Sequence, residues 1–361
     1  MTGQSFPAPP LPARLWRRPR PVLPLLWLLL ASMALLALTT GSSGVSPLRM
    51  LGAALSGEGV AARDWVVLTG IRLPRLVAGA LVGAALAVSG ALMQGLFRNP
   101  LADPGLIGVG AGAGLGAVTA IVLGGLLPLG LLATVGAHLL PVAAFLGGWG
   151  ATLILWHLSR TGGSRAGGQT SVATMLLAGI ALAALAGALT GLLIQIADDQ
   201  QLRDLTFWNM GSLSGIGWQR LAVAAPLILP VLLLSPRLGR GLNALSLGEA
   251  PAQHMGIEVE RLKRWTVLSV AAATGAAVAI AGGIGFVGIV VPHLLRLAGG
   301  PDHRTLLPRA ALLGAALLIG ADVIARAITP PAELPIGIIT ACLGAPVFLW
   351  ILLRRARAGE V

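Results

Sequence analysis

The sequence predicts an all-α membrane protein that crosses the bilayer about ten times. Of 361 residues, 56% are hydrophobic and 11% are charged, whereas soluble domains carry about 25% charged residues. Mean hydropathy is +0.86. The apolar residues come in blocks of about 18 to 25, and about 20 helical residues cross a hydrocarbon core of about 30 Å. We therefore expect one polytopic helical bundle and not several soluble domains.

Ten apolar segments fit transmembrane helices. The predicted spans are 22–40, 72–96, 103–123, 131–157, 172–197, 217–234, 265–284, 286–298, 307–328 and 335–353. The eighth is short and lies between glycines, so a count of nine also fits. The predicted membrane domain is 22–353, between a basic N-terminal arm at 1–21 and a tail at 354–361.

The first span follows a basic stretch, RLWRRPR, and is apolar from Val22 to Leu38. A basic start and an apolar core are also typical of a secretory signal peptide. This apolar run is longer than a usual signal core, and the TTGSSG after it has no small-x-small cleavage site at the right distance. We therefore interpret 22–40 as a retained span.

The basic residues predict the orientation of the chain. Lys and Arg accumulate in cytoplasmic loops. With ten spans and a cytosolic N-terminus, 18 of the 25 Lys and Arg residues face the cytosol, so both termini are expected there. The net charge of +12 arises from these short loops. Since no soluble basic domain exists to hold a duplex, nucleic acid is not an expected partner.

Glycines spaced four residues apart mark helix faces in several spans. Examples are Gly79 with Gly83 and Gly187 with Gly191. Residues four apart share one face of a helix, and small residues there let neighbouring helices approach closely in lipid. The stretch GVGAGA also matches a loose dinucleotide-binding pattern, but no strand precedes it and no acidic residue follows at the right distance.

Polar residues within the spans are few and do not form a catalytic or metal site. Asp322 is the only acid well inside a span, and Arg326 lies one turn further, which favours a local ion pair over a proton relay. The five histidines lack metal-ligand spacing. The single Cys342 excludes an internal disulfide and is expected to be a packing residue.

No motif predicts an enzyme. The only lysine, Lys263, lies between Leu262 and Arg264, whereas a P-loop lysine directly follows glycine. Neither a nucleophile elbow nor an HExxH motif occurs. The chain is therefore expected to have no ATPase of its own.

The longest cytosolic loop, SPRLGRGLNALSLGEAPAQHMGIEVERLKR, mixes apolar and charged residues. It contains two short helix-forming pieces, LNALSLGEAPAQHM and EVERLKR, joined at Gly256. A solvated connector fits this composition, and so does a compact helix-turn-helix that docks on a cytosolic partner.

Several long stretches resemble the permease subunits of bacterial ABC importers for iron siderophores, heme and vitamin B12. They are RLPRLVAGALVGAALAVSGALMQGLFRNPLADPGLIGVGAGAG, LGEAPAQHMG, and the run from GGIGFVGIVVPHLLRLAGG to LGAPVFLWILL. The resemblance covers about Arg72 to Leu353. It implies the type II importer fold in the bacterial inner membrane, with FRNPLADPG as an architectural turn at the cytosolic side between the second and third spans.

The resemblance also implies partners. Two permease copies of ten spans form a central path, two ATPase subunits lie beneath and use ATP, and a periplasmic binding protein lies above. No stably bound cofactor is expected. In the family, arginines matching RLPR and ADVIAR meet glutamates of the binding protein, so docking is predicted at Arg72, Arg75 and Arg326. The alternative role for these arginines is anchoring at the lipid headgroups.

The family's paired coupling helices correspond to the long loop, here 242–264. Small and apolar residues let a short helix sit in a groove of the ATPase. The residues predicted to contact the ATPase are Leu247, Gly248, Ala252, Met255 and Gly256.

The translocation path is predicted along the glycine-rich third span and an outer extension of the fifth, LRDLTFWNMGSL. The lining candidates are Gly108, Gly112, Gly116, Arg203, Phe207, Trp208 and Met210. A cation beside flat and soft apolar groups suits a planar macrocycle with carboxylates. The alternative for Phe207 and Trp208 is an aromatic belt at the membrane interface.

The cargo prediction is heme. The LRDLTFWNMGSL segment resembles the heme branch of the family, while the C-terminal GAPVFLWILL resembles the vitamin B12 branch as much. Vitamin B12 and ferric siderophores are therefore the alternatives. A secondary transporter or channel of similar helix count is a further alternative and would need neither an ATPase nor ATP.

Overall fold

The computed structural model describes residues 22–41, 44–57, 59–161, 172–330 and 332–357. These residues form helices and short connections, with no strand in the described ranges, so the predicted all-α class is confirmed. The predicted arm at 1–21 lies outside the described residues, as do residues 358–361 of the predicted tail.

The helices follow one another along the chain as one bundle. They are α1 (Val22–Thr39), α2 (Pro47–Ser56), α3 (Ala62–Val66), α4 (Leu73–Leu96), α5 (Val109–Leu123), α6 (Leu129–Thr161), α7 (Val172–Gln195), α8 (Asp199–Met210), α9 (Trp218–Leu245), α10 (Glu249–His254), α11 (Val259–Ala281), α12 (Val287–Gly299), α13 (His303–Ile328) and α14 (Ile336–Arg357).

Nine helices among the described residues are long and apolar enough to cross a membrane. The remaining predicted span, the eighth, is α12, which has 13 residues and a length of about 20 Å at 1.5 Å per residue. That is shorter than a hydrocarbon core of about 30 Å. Large apolar side chains on the outside of the bundle are exposed, among them Leu28, Leu177 and Leu233, as expected for surfaces that meet lipid.

The second predicted span begins earlier than residue 72. A π-helical segment, Val67–Arg72, joins α3 to α4 without a break, so the helical run extends from Ala62 to Leu96. Pro74 lies just after the π-helical segment in this continuous helix. Proline has no amide proton to donate, and a local change to π-helix accommodates the missing hydrogen bond.

The two ends of the bundle differ, and we name them by their landmarks. The α10 end carries α10 and the start of α13. The clasp end carries the C-terminus of α1, where Arg326 of α13 donates a hydrogen bond to the Thr40 carbonyl over 2.6 Å. Because α1 ends and α14 begins at the clasp end, Val22 and Arg357 both lie towards the α10 end.

Glycines bring several helix pairs into backbone contact. A Cβ added at Gly83 of α4 would lie 2.2 Å from the Gly314 carbonyl oxygen of α13. A Cβ at Gly90, two turns further along α4, would lie 1.9 Å from the Gly288 oxygen of α12. Neither position has room for a side chain, so the expected role of glycines in close helix packing is confirmed for α4.

The long loop predicted at 242–264 is shorter and more ordered than expected. Helix α9 continues to Leu245, and α11 begins at Val259. Only the first helix-forming piece contributes a separate short helix, α10, whereas EVERLKR enters the first turns of α11. Both predicted pieces therefore contain helix, but the second continues into α11 and is not a separate short helix.

Candidate functional site

The candidate functional residues lie in three regions. These are a cluster of charges at the clasp end, a cavity inside the bundle, and the surface around α10. The first, the arginine clasp, consists of Arg72, Arg75, Asp322, Arg326 and Glu333. Asp322 is its centre and is 3% exposed. It accepts from Arg75 Nη2 at 2.8 Å and from Arg326 Nε at 3.0 Å. The predicted Asp322–Arg326 ion pair is confirmed, and Arg75 of α4 joins it.

Arg72 and Arg326 hold the end of the first span. Arg72 donates to the carbonyls of Leu38 and Val45, the latter over 2.7 Å. Arg326 donates to the Ala37 carbonyl over 3.3 Å and to that of Thr40. The last carbonyls of a helix lack helical donors, and arginine satisfies them. These two arginines, which are predicted to dock the binding protein, are engaged within the chain. Arg72 is buried and Arg326 is partly buried.

Arg75 is the clasp arginine with a partner near the surface. Its Nη1 donates to Glu333 Oε1 over 2.8 Å, and the side chains are 12% and 34% exposed. Burial raises the pKa of the Glu333 carboxyl, but the hydrogen bond and charge of Arg75 outweigh burial, so the pKa lies below its usual value. Glu333 is therefore ionised at neutral pH, and a second carboxylate approaching Arg75 would compete with it.

Two non-helical segments meet inside the bundle. The turn FRNPLADPG begins at the α10 end, where Asn99 N donates to the Gln94 carbonyl of α4. It then returns into the bundle, because a Cβ at Gly288 would lie 3.2 Å from Leu86 O and 3.4 Å from Asp103 Oδ2. Leu86 precedes the end of α4 by ten residues, or about 15 Å of helix. The expectation of a simple turn at the cytosolic side is therefore wrong for its second half.

The second non-helical segment is the break between α11 and α12. It contains Gly282 with φ +72° and Phe286 with φ +68°. A left-handed backbone is a strained conformation for phenylalanine and is maintained only where surrounding packing enforces it. Non-helical backbone at membrane depth occurs where protein buries it or where it borders a cavity.

A cavity of about 350 Å³ lies between these two segments. Asp103 and Pro104 of the turn, Thr274 of α11, and Trp208 and Asn209 of α8 line it. Asp103 accepts a hydrogen bond from the Gly105 amide over 2.7 Å and thereby caps the short 3-10 helix Pro104–Ile107. This cavity combines apolar walls with a carboxylate and an amide, as expected of a passage for an amphipathic molecule.

Two of the three glycines that the sequence predicts to line the path from the third span pack against another helix instead. A Cβ at Gly112 would lie 2.3 Å from the Gly147 oxygen, and one at Gly116 would lie 2.0 Å from the Ala143 oxygen. Both glycines therefore face α6 and pack against it, which corrects their assignment to a path. Gly108 has φ +75° and forms the N-cap of α5. It is Gly110, on another face of α5, that lines the cavity.

Of the predicted path residues around the fifth span, only Trp208 lines the cavity. The segment is a separate helix, α8, because Asp198 and Gln201 form a reciprocal capping box at its start. Arg203 is exposed and Phe207 is 60% exposed, and neither lines the cavity. The Met210 carbonyl packs against Gly337. Arg203, Phe207 and Met210 therefore do not line this cavity, and their place on a path between two copies stays a prediction.

The surface around α10 has an exposed apolar part and a buried base. Leu247 is 68% exposed and Met255 is 52% exposed. Gly256 is exposed with φ +81°, and Gly248 is part-buried with φ +119°. Ala252 lies on the buried face of α10 and is fully buried, so its predicted contact with a partner is corrected. Leu247, Met255 and Gly256 are accessible.

Lys263 anchors α10 to α11. It is 1% exposed, and its Nζ donates to Glu249 at 2.8 Å and to Glu260 at 3.2 Å. Glu249 is the first residue of α10, so the ion pair joins the two helices. Breaking a buried ion pair by removing one partner leaves an uncompensated charge. The single lysine of the sequence thus positions the surface that Leu247 and Met255 present.

The sequence matches the FecCD transport family over residues 28–354. The chain belongs to this family. It is 45% identical to the hemin transport system permease protein HmuU of Yersinia pestis over 94% of the chain and 97% of that protein. It is also 42% identical to the vitamin B12 import system permease protein BtuC of Klebsiella pneumoniae, over 92% of the chain and 94% of BtuC.

A solved structure supports the same conclusion for the FecCD fold. An inward-facing conformation of a metal-chelate type ABC transporter superposes with a TM-score of 0.78, at 33% identity, over 91% of this chain and 97% of that one. The resemblance to importer permeases and the type II importer fold are therefore confirmed. This FecCD protein is a multi-pass membrane protein, and its relatives are permeases, which are transport subunits.

The sequence analysis of this FecCD permease did not identify two residues that the structure places in the candidate sites, Glu333 beside Arg75 and Asp103 in the cavity. Glu333 lies in the stretch PPAELP before the last span, where it is the only acid; an isolated carboxylate beside predicted docking arginines was the available signal. Asp103 lies in FRNPLADPG, which the sequence predicts to be an architectural turn. The apolar stretches on both sides of that turn indicated membrane depth, where an acid marks a functional-site candidate.

Proposed function

We propose that this permease forms the path of an ATP-driven importer for heme. Two copies work with two ATPase subunits, which hydrolyse ATP, and with a periplasmic binding protein that delivers the cargo. The observation that supports heme is the 45% identity with the hemin permease over 94% of the chain. The apolar walls of the cavity suit a flat apolar body, and Thr274 and Asn209 in its lining can donate hydrogen bonds to carboxylates at the edge of such a molecule.

The orientation proposed for the bacterial inner membrane places the α10 end in the cytosol. Both ends of the described chain lie towards that end, and the arginines of the sequence are concentrated in its loops, as in cytoplasmic loops generally. The clasp end then faces the periplasm and the binding protein, while Leu247, Met255 and Gly256 face the ATPase. Exposed Arg203 and Phe207 on α8 are candidates for contact with the second copy or the cargo.

Reconstitution tests the function. The permease and its cognate ATPase are placed in proteoliposomes, and the binding protein is added with hemin or with cobalamin. We expect hemin uptake that requires ATP, the ATPase and the binding protein. Cobalamin uptake without hemin uptake would establish the alternative that the 42% identity with BtuC supports. Uptake without the ATPase would contradict an ATP-driven importer.

Docking is tested at the Arg75–Glu333 pair. If Arg75 binds a carboxylate of the binding protein, Glu333 competes for its Nη1, where the two now lie 2.8 Å apart. We expect Glu333→Gln to strengthen capture of the loaded binding protein by roughly threefold and Arg75→Gln to weaken it by roughly tenfold at low salt. Surface plasmon resonance on the permease in nanodiscs measures both.

Arg304→Gln is the control for this experiment, because Arg304 lies at the opposite end and pairs with Asp302. Arg72 and Arg326 are unsuitable for a clean test, since they also hold the carbonyls of α1. If neither Arg75→Gln nor Glu333→Gln changes capture, the clasp is purely structural.

A further inference from the structure

A groove at the α10 end lies beside the surface predicted to contact the ATPase, and none of the residues predicted for that contact lines it. It lies between the end of α6 and the start of α11 and has a volume of about 640 Å³. Trp156 and Arg160 line it on α6, and Arg261, Arg264 and Trp265 line it on α11. Three guanidinium groups and two indoles thus share one open groove.

The two carboxylates of this groove are already engaged. Glu258 pairs with Arg261 at 3.5 Å, and Glu260 pairs with Lys263 at 3.2 Å. Arg160 and Arg264 have no acidic partner in the part of the chain that the structure describes. The segment that follows α6, residues 162–171, contains no Asp or Glu in its sequence. The groove therefore has an excess of positive charge from Arg160 and Arg264.

The groove lies at the ends of two candidate spans, where lipid headgroups are expected. Arg160 is the last residue of the candidate span His138–Arg160, and Arg264 lies in the first turns of the candidate span Val259–Ala281. Trp156 is one turn before Arg160, and Trp265 is 50% exposed beside Arg264. Tryptophan rings prefer the membrane–water interface. Guanidinium groups bind phosphate through paired N–H donors.

We propose that this groove binds an anionic phospholipid, with the headgroup phosphate on Arg160 and Arg264 and the glycerol and upper acyl chains against Trp156 and Trp265. Basic pockets between membrane helices are suited to such headgroups. The groove also borders Gln253 of α10 and the first residues of α11. A bound lipid would therefore brace α10, the helix that Lys263 anchors from its buried side.

Lipid retention tests the proposal. The permease is purified in nanodiscs of phosphatidylcholine with and without phosphatidylglycerol, and retained lipid is counted by native mass spectrometry after transfer to detergent. We expect selective retention of phosphatidylglycerol, and a decrease of roughly tenfold to thirtyfold in Arg160→Gln/Arg264→Gln. The matched control is Arg237→Gln/Arg240→Gln, two arginines at the same end that do not line the groove, and it should retain phosphatidylglycerol normally.

Three outcomes would overturn the proposal. Equal retention of phosphatidylglycerol by the groove variant and the wild type would show that the groove does not bind this lipid. Displacement of the lipid by millimolar inorganic phosphate would identify a site for free anions. Loss of ATPase capture in the groove variant, with phosphatidylglycerol retention unchanged, would show that the arginines bind the ATPase. Hemin uptake by the wild type is measured separately, so failure of the lipid site and failure of the transport function remain distinguishable.

Discussion

Gly90→Ala is expected to destabilise the permease by about 3 kcal/mol or more, at the upper end of the usual cost of overpacking. The added Cβ would lie 1.9 Å from the Gly288 oxygen and 2.4 Å from its Cα. Both are backbone atoms, so no side-chain rotation relieves the clash, and α4 and α12 must separate. The midpoint of thermal unfolding in detergent, followed by the loss of monodisperse protein, measures the effect.

Gly110→Ala is the matched control for this change. Gly110 is also a helical glycine, in α5, and a Cβ there would meet nothing within 4 Å. Alanine in a helix is favoured over glycine by about 1 kcal/mol, so this variant should be as stable as the wild type or slightly more stable. Equal melting of Gly90→Ala and Gly110→Ala would contradict the contact between α4 and α12.

The double substitution Leu247→Glu/Met255→Glu is expected to reduce capture of the ATPase by at least tenfold and to abolish ATP-dependent uptake. The two side chains are 68% and 52% exposed. Apolar side chains that become buried at an interface each contribute about 1.5–3 kcal/mol, and glutamate would leave unpaired charge there. Co-purification of the tagged permease with its ATPase measures capture.

The permease itself should remain as stable as the wild type, because both side chains are already in contact with solvent. Leu55→Glu is the control, since Leu55 on α2 is 80% exposed and lies at the clasp end. Gly256 is less informative, because its φ of +81° strains any replacement whether or not a partner binds there. Normal ATPase capture by the double variant would make this surface a simple connector.

Much of the fold was predictable because apolar length and composition determine membrane spans. The borders of α1, α7 and the last two helices fall within a few residues of the predicted spans. The errors lie where helices continue outside the apolar runs. The helical run of the second span begins at Ala62, and α9 extends to Leu245 through a polar stretch. Tertiary contacts maintain helix there, and hydropathy alone does not record them.

The sequence predicted which types of residue form the candidate site, but it did not predict which neighbouring helix or cavity each of them faces. Gly112 and Gly116 share a face, as their spacing indicates, yet that face packs against α6 and not around a path. Trp208 lines the cavity, whereas Phe207, its neighbour in sequence, is 60% exposed. Periodicity establishes which residues share a face. Which neighbour that face meets depends on how the helices are arranged.

The sequence by itself determined the membrane class, the approximate spans, the family and the surface that contains Leu247 and Met255, because hydropathy and motif order are properties of the linear chain. Only the tertiary structure decided that Arg72 and Arg326 hold α1, that Glu333 occupies Arg75, and that Asp103 returns to membrane depth beside Leu86. The physical reason is that a buried charge is stable only beside groups that pair with it, so its role depends on those groups. Partners such as Arg75 and Asp322 are 247 residues apart in the chain and meet only when the helices pack.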